Sequence, residues 1–213
     1  MLSNTIYTPN VGSWGLGRID GYPISGDITT LPFVKDELHP AGHSGVDIAG
    51  YDNAIHCPED GVICDVFALP LKGNQWDAFK NIFGNCVIID HGDKYSMYAH
   101  LRDAPLVREG QLVKAGDVLG YVGNTGYSFG PHLHWAIAKH DNRYFNFPPE
   151  QGPEGILLNA LDYCKLAGDS EYNSTRTTSN SGNTQSVNQI NNDFIRSQLN
   201  AINDAVAQIR NNL

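Results

Sequence analysis

No stretch of this chain approaches the ~18 consecutive apolar residues that a membrane-spanning helix needs, so no span is expected. The opening segment, MLSNTIYTPN, lacks a basic stretch followed by an apolar run, and classical secretion is not expected from it. Positive charge is also scarce. Fourteen Lys and Arg stand against 23 Asp and Glu, a formal charge of −9 that disfavours loose attraction to nucleic acid or any other polyanion. The four cysteines, Cys57, Cys64, Cys86 and Cys164, include no C-x-x-C pair. This excludes a disulfide scaffold or a cysteine zinc site and leaves them as small core residues.

What the chain does have is unevenly distributed. Gly, His, Pro and aromatic residues crowd the part up to about residue 167, whereas Gly168–Ser186 holds one Tyr and no aliphatic side chain. Such a segment cannot bury enough surface to offset the entropy of ordering it, and it reads as a linker. Beyond it, 187–213 has no Gly or Pro. Leu199, Val206 and Leu213 at a, with Ile195, Ile202 and Ile209 at d, form a short heptad seam. The chain therefore divides into a domain over 1–167, a polar linker over 168–186 and an amphipathic helix over 187–213. A helix tethered by a long linker, with aliphatic residues at a and d, is expected to self-associate as a trimer or larger, or to dock on a carrier particle.

In the first part, β-branched and aromatic runs are bounded by Gly turns: Gly61–Phe67, Cys86–Asp90, Tyr95–His100, Gly116–Val122 and His132–Ile137, with His91–Lys94 as a hairpin loop. The pattern predicts a mainly β fold, an antiparallel sandwich or partly open barrel with little helix before the tail. The first thirty residues match no motif and are expected to form an irregular lead-in packed on the barrel.

Eight histidines are many for 213 residues. In His132-Leu133-His134 the two imidazoles are two positions apart, which in a strand puts both on one face about 6.5–7 Å apart at Cα. That suits one metal ligand beside one catalytic base. In His43-Ser44-Gly45-Val46-Asp47 an extended segment again brings His and carboxylate to one face, and Gly45 lets the backbone pass close to whatever they hold. His39, His56, His91 and His140 read as surface or structural residues, with His39 close enough to His43 to reach the rim of a cleft.

The order H-x-x-x-D, then Tyr98-Ala99-His100-Leu101, then Gly130-Pro131-His132-Leu133-His134-Trp135 resembles the lysostaphin/LytM-type zinc metalloendopeptidases, which cut peptide bonds in bacterial peptidoglycan. The likeness extends over GHSGVDIAG, HCPEDGVI, GNCVIIDHGDKYSMYAHL, EGQLVKAGDVLGYVGNTG and GPHLHWAI. It implies Zn²⁺ held by His43, Asp47 and His134, a catalytic pair of His100 and His132, and Tyr98 as a partner for the developing oxyanion. It also implies action on the cell wall. With the charge balance and the tail, that suggests delivery by a larger particle such as a phage virion, or release by lysis. The family often shows Phe-Gly and Arg before the first ligand, where this chain reads Leu31-Pro-Phe-Val-Lys-Asp-Glu-Leu-His-Pro40, so the loop at the mouth of the site is its own. The alternative is a catalytically silent structural or wall-binding protein on the same fold. All five zinc and catalytic residues are present, which favours the enzyme.

Overall fold

The computed structural model describes residues 16, 18–19, 21–50, 53–69, 78–149 and 151–166. All belong to the first of two units of the chain, Met1–Asn173. The expected linker at 168–186 and helix at 187–213 lie outside the described residues, as do Gly12, Trp14, Gly15 and Gly17.

The fold is mainly β and antiparallel. Thirteen short strands, β1 to β13, are described: Arg18–Ile19, Gly21–Tyr22, Gly26–Thr30, Val46–Ala49, Ala54–His56, Gly61–Phe67, Asn85–Asp90, Lys94–Leu101, Leu112–Val113, Val118–Tyr121, His132–Lys139, Leu157–Leu158 and Lys165–Leu166. One helix, α1, covers Ala78–Phe83, and a 3₁₀ turn covers Ala160–Tyr163. Nine strands form one sheet in the order β1-β3-β4-β11-β8-β7-β6-β9, with β12 also on β11, while β5 pairs β10 and β2 pairs β13. Among the described residues no helix is long and apolar enough to cross a membrane.

The runs read from the sequence become β6, β7, β8, β10 and β11, and His91 N–H donates to the Lys94 carbonyl (3.0 Å) to close the expected hairpin. The lead-in is a correction. Far from irregular throughout, 18–30 supplies β1 to β3, with Ile28 paired to Ile48 and Thr30 to Asp47. A five-residue strand marginal alone becomes stable here because β4 presents an open row of backbone donors and acceptors.

The central strand β11 is buried along both faces, so alternation shows in the partners rather than in polarity. Leu133, Trp135 and Ile137 join Val46, Ile48, Ile28 and Tyr98 in the larger core. The opposite face carries Ala136 and Ala138 into a second cluster with Met97, Ala99, Ile88 and Phe145. His132 and His134 continue this second face toward the N-terminal end of β11.

All four cysteines are free thiols, and burial, the dominant influence, pushes Cys57, Cys64 and Cys164 up to about 12. They are packing residues without nucleophilic character at neutral pH.

Candidate active site

Two ladders assemble the site. On β4 and β11, His134 lies opposite Asp47 and His132 opposite Ala49, so Asp47, His132 and His134 share one face. His43, in the loop just before β4, is clamped by two backbone hydrogen bonds: Phe33 N–H donates to its carbonyl (2.9 Å) and its own N–H to Val34 O (2.8 Å).

Gly45 makes this approach possible. A Cβ there would fall 2.4 Å from the Trp135 carbonyl oxygen and 2.9 Å from its carbon. The close approach is therefore to the β11 backbone, not to whatever His43 and Asp47 hold.

Three donor atoms converge. His43 Nε2 lies 3.2 Å from His134 Nδ1 and 3.2 Å from Asp47 Oδ1, and His134 Nδ1 lies 3.0 Å from Asp47 Oδ1. The edge of a tetrahedral zinc site with 2.0–2.2 Å bonds is about 3.3–3.6 Å, slightly wider than this triangle. His43 Nδ1–H donates to the Leu31 carbonyl (3.0 Å), an acceptor only, so a neutral His43 directs a lone pair inward from Nε2. Ser44 Oγ, 3.1 Å from His134 Nε2, can accept from Nε2–H and free Nδ1 in the same way. A buried triangle of two imidazole lone pairs and a carboxylate oxygen repels itself unless a cation sits within it. The residues present thus fit a divalent metal with N and O preferences.

The electrostatics agree. Burial is the largest influence on His134 and holds it down at about 4, so it is neutral and able to ligate at pH 7. Burial pushes Asp47 up, but its hydrogen bonds and charge interactions with His134 and His43 outweigh that and keep the carboxyl well below the usual range. For His43 burial again acts downward, while the hydrogen bond and charge of Asp47 prevail and raise it.

His100 reaches the same place by a different device. Cys86 on β7 stands where Ala99 and His100 stand on β8, since Asn85 pairs Leu101 and Val87 pairs Tyr98. This bulge places His100 at φ 61°, a left-handed backbone that His adopts more readily than most residues. Asn85 secures the bulge: its side-chain amide donates to the Leu101 and Arg102 carbonyls (3.2 and 3.4 Å). The His100 ring stands 4.7 Å from that of His132 and 6.0 Å from that of His134.

The loop from Gly123 to Pro131 sets the orientation of both remaining imidazoles. His100 Nδ1–H donates to the Thr125 carbonyl (2.7 Å), and His132 Nδ1–H to the Gly130 carbonyl (2.8 Å). Each neutral ring therefore keeps an Nε2 lone pair available. His132 Nε2 is 3.5 Å from Asp47 Oδ1, at the edge of the donor triangle. Burial, then the charges of His134 and His132, lower His100 to about 3. His100 is therefore a neutral imidazole at pH 7.

Tyr98 is not part of this constellation. It pairs with Trp135, faces the larger core and is fully buried, its hydroxyl accepting from Ser96 Oγ at 3.2 Å. Strand alternation would set Tyr98 and His100 on one face; the bulge at Ala99 and His100 separates them. The expected oxyanion contact is thereby corrected.

The bland reading of three histidines holds. His56 bonds the Gly116 carbonyl and stacks on Tyr22, His91 bonds Asp60 O and Ser96, and His140 pairs with Asp90 and stacks on Tyr95. His39 differs: its ring lies 4.4 Å from that of His43. Ser44, Thr125 and Gly130 were not singled out from the sequence, because two of the three act through backbone carbonyls that any residue carries.

Residues 41–146 match peptidase family M23. Among curated proteins the chain is similar to the peptidoglycan DD-endopeptidase ShyA of Vibrio cholerae, 36% identical over 112 residues, which are 49% of this chain and 23% of that one. It is likewise similar to the murein hydrolase activator NlpD of Salmonella dublin, 43% identical over 98 residues, 45% of this chain and 23% of that one. This chain thus covers less than a quarter of the length of either relative. Among solved structures the catalytic domain of lysostaphin from Staphylococcus simulans aligns at 22% identity and a TM-score of 0.48, covering 65% of this chain and 91% of that chain.

Proposed function

Residues 41–146 of this chain are a domain of peptidase family M23, and from that premise we propose that the protein is a zinc-dependent endopeptidase hydrolysing peptide bonds in bacterial peptidoglycan. The observation that carries the proposal is the convergence of His43 Nε2, Asp47 Oδ1 and His134 Nδ1 within 3.2 Å, beside His100 and His132, whose Nδ1–H groups are tied to the Thr125 and Gly130 carbonyls.

His43, Asp47 and His134 would hold the zinc. Bound by two neutral imidazoles and one carboxylate, the ion keeps a net positive charge, acts as a Lewis acid and lowers the pKa of a water toward about 7. His132, with Nε2 beside the triangle, takes the proton of the attacking water as the bond from water oxygen to carbonyl carbon forms. When the C–N bond breaks, the departing amine takes a proton from the imidazolium, with His100 as the second proton carrier of the pair. Thr125 and Gly130 do no chemistry; their carbonyls fix the tautomers that make the transfer possible.

Purified walls incubated with the full chain should release soluble muropeptides whose masses show new amine and carboxyl ends. His132→Ala and His100→Ala should each retain the metal and lose about 10²–10⁴-fold in rate. Absence of release from walls of several chemotypes would overturn the proposal. The name of the NlpD relative raises a second reading, an activator of other hydrolases. Release by the purified chain alone separates the two.

The same proposal assigns 168–186 as a polar linker and 187–213 as a helix that self-associates as a trimer or larger, or docks on a carrier such as a phage tail. The heptad seam supports it. Light scattering on the full chain and on a truncation after Ala167 tests it, with loss of assembly expected in the truncation.

A further inference from the structure

The loop from Gly123 to Pro131, which orients His100 and His132 through two carbonyls, also carries two large rings that neither task requires. Tyr127 is 64% and Phe129 73% exposed, and their ring centroids stand 5.1 Å apart at an interplanar angle of 77°. An aromatic pair left in water beside a reacting centre is a feature of binding grooves. We propose that Tyr127, Phe129 and the Asn124 amide bind a sugar ring of the glycan to which the scissile peptide is attached. The inference rests on the peptidase reading above and adds a saccharide subsite to it.

Three observations carry it. The first is position. Ser128, between the two aromatic residues, has its Oγ 3.3 Å from His132 Nδ1. The rings therefore border the site. A connecting peptide of about four residues spans at most about 14 Å, so a sugar can reach this rim while a bond of its peptide lies at the metal.

The second is rigidity. Tyr127 N–H donates to the Ile82 carbonyl (2.8 Å), Asn85 N–H to Thr125 Oγ1 (3.0 Å), and Thr125 Oγ1 to the Leu101 carbonyl (2.7 Å). Gly126, at φ 75°, runs so close to 82–84 that a Cβ there would fall 2.5 Å from Gly84 N and 2.6 Å from Ile82 O. Backbone that is already fixed presents the rings, which reduces the entropy lost on binding.

The third is chemistry. Residues 124–131 carry no charge, so in an acidic chain this segment suits a neutral part of the substrate. The negative face of an aromatic ring attracts the C–H face of a pyranose. Ser128 Oγ donates to Asn124 Oδ1 (2.5 Å), and Asn124 is exposed, so its amide nitrogen has two N–H groups to offer to hydroxyl or acetamido oxygens. Ring faces joined to an oriented amide match a sugar, whereas an aliphatic peptide side chain uses the faces alone.

Cross-linked disaccharide peptides, and the same peptides freed of sugar, serve as paired substrates for the full chain, with kcat and KM measured for each. The unaltered protein should favour the sugar-bearing substrate in kcat/KM by about tenfold or more, chiefly through KM. That preference should fall by about threefold or more in Tyr127→Ala/Phe129→Ala and about twofold or more in Asn124→Ala, and persist in Tyr127→Phe/Phe129→Tyr, which keeps both faces. The ratio of the two substrates cancels any disturbance that the loop passes to His100 or His132. Tyr127→Leu/Phe129→Leu replaces the alanine variant if circular dichroism shows that one unfolded. A smaller preference in the unaltered protein, or smaller falls in the variants, overturns the inference, and so does an equal loss on both substrates, which would assign the rings to the peptide. Cleavage of neither substrate by the unaltered chain defeats the peptidase reading and this inference with it, while cleavage of both at equal kcat/KM defeats this inference alone.

Discussion

Gly45→Ala tests the architecture of the site without touching any reacting group. The added Cβ would stand 2.4 Å from Trp135 O, 2.9 Å from Trp135 C and 3.1 Å from Ala136 Cβ. An ordinary carbon–oxygen contact is about 3.3 Å or more, so β4 must back away from β11 by about 1 Å. Both obstructing atoms closest to it are backbone, held in the β4–β11 ladder, and neither can rotate aside. The donor triangle spans that same junction, with His43 and Asp47 on one side and His134 on the other. A retreat of about 1 Å stretches the 3.0 and 3.2 Å edges toward about 4 Å, whereas metal sites tolerate about ±0.2 Å in a bond. Zinc affinity should fall by at least about tenfold. Overpacking of this kind costs typically 1–3 kcal/mol. In a domain of this size that lowers Tm of the metal-free protein by about 2–12 °C. Chelator competition and thermal unfolding read the two effects separately. Zinc affinity within twofold of the unaltered protein, together with a Tm within about a degree, would refute the claim that close β4–β11 contact sets the donor spacing.

Three further outcomes follow from the same geometry. His43→Ala and His134→Ala should each abolish stoichiometric zinc binding, checked by metal analysis after dialysis; unchanged stoichiometry in either removes that residue from the site. Tyr98→Phe should leave wall turnover within about threefold and cost about 1 kcal/mol of stability, since the hydroxyl accepts from Ser96 in the core, away from the donor triangle. A rate loss approaching that of His132→Ala would return Tyr98 to the mechanism. For pH, His100 and His134 are held at about 3 and about 4 against 6.5 in an unfolded chain, so the unfolded state binds protons first as pH falls. Their contribution to stability is present above pH 6.5 and is lost as pH falls toward about 3. Asp47, held below 3.8, loses its contribution lower still, while His43, raised, acts in the opposite sense. Two depressed histidines outweigh one raised. The Tm of the metal-free protein should fall steadily from pH 7 to 4, and a rise over that interval would contradict the assignment.

How much of this was legible in the residues depends on the range of the forces involved. A period of two needs only neighbours, so His132 and His134 could be put on one face, and the β6, β7, β8 and β11 runs recognised, from local pattern alone. The identities of the donors were likewise available, because only His, Asp, Glu and Cys carry that chemistry and their order along the chain resembles a known family. Distance was not available. His43 and His134 are 91 positions apart, and their 3.2 Å approach exists only because β4 and β11 pair in a register that Gly45 permits. Bulges are equally hidden: one extra residue in β8 turned His100 into the site and left Tyr98 in the core, reversing what simple alternation implies for that pair. The strands within the first thirty residues were missed because their stability comes from partners that local pattern does not show: β3 on β4, β1 on β3 and β2 on β13. Ser44, Thr125 and Gly130 act by holding imidazole nitrogens, often through a carbonyl common to every residue. Sequence therefore determined which groups could do the proposed chemistry, and tertiary structure decided which of them meet, because backbone pairing across long separations sets both distance and face.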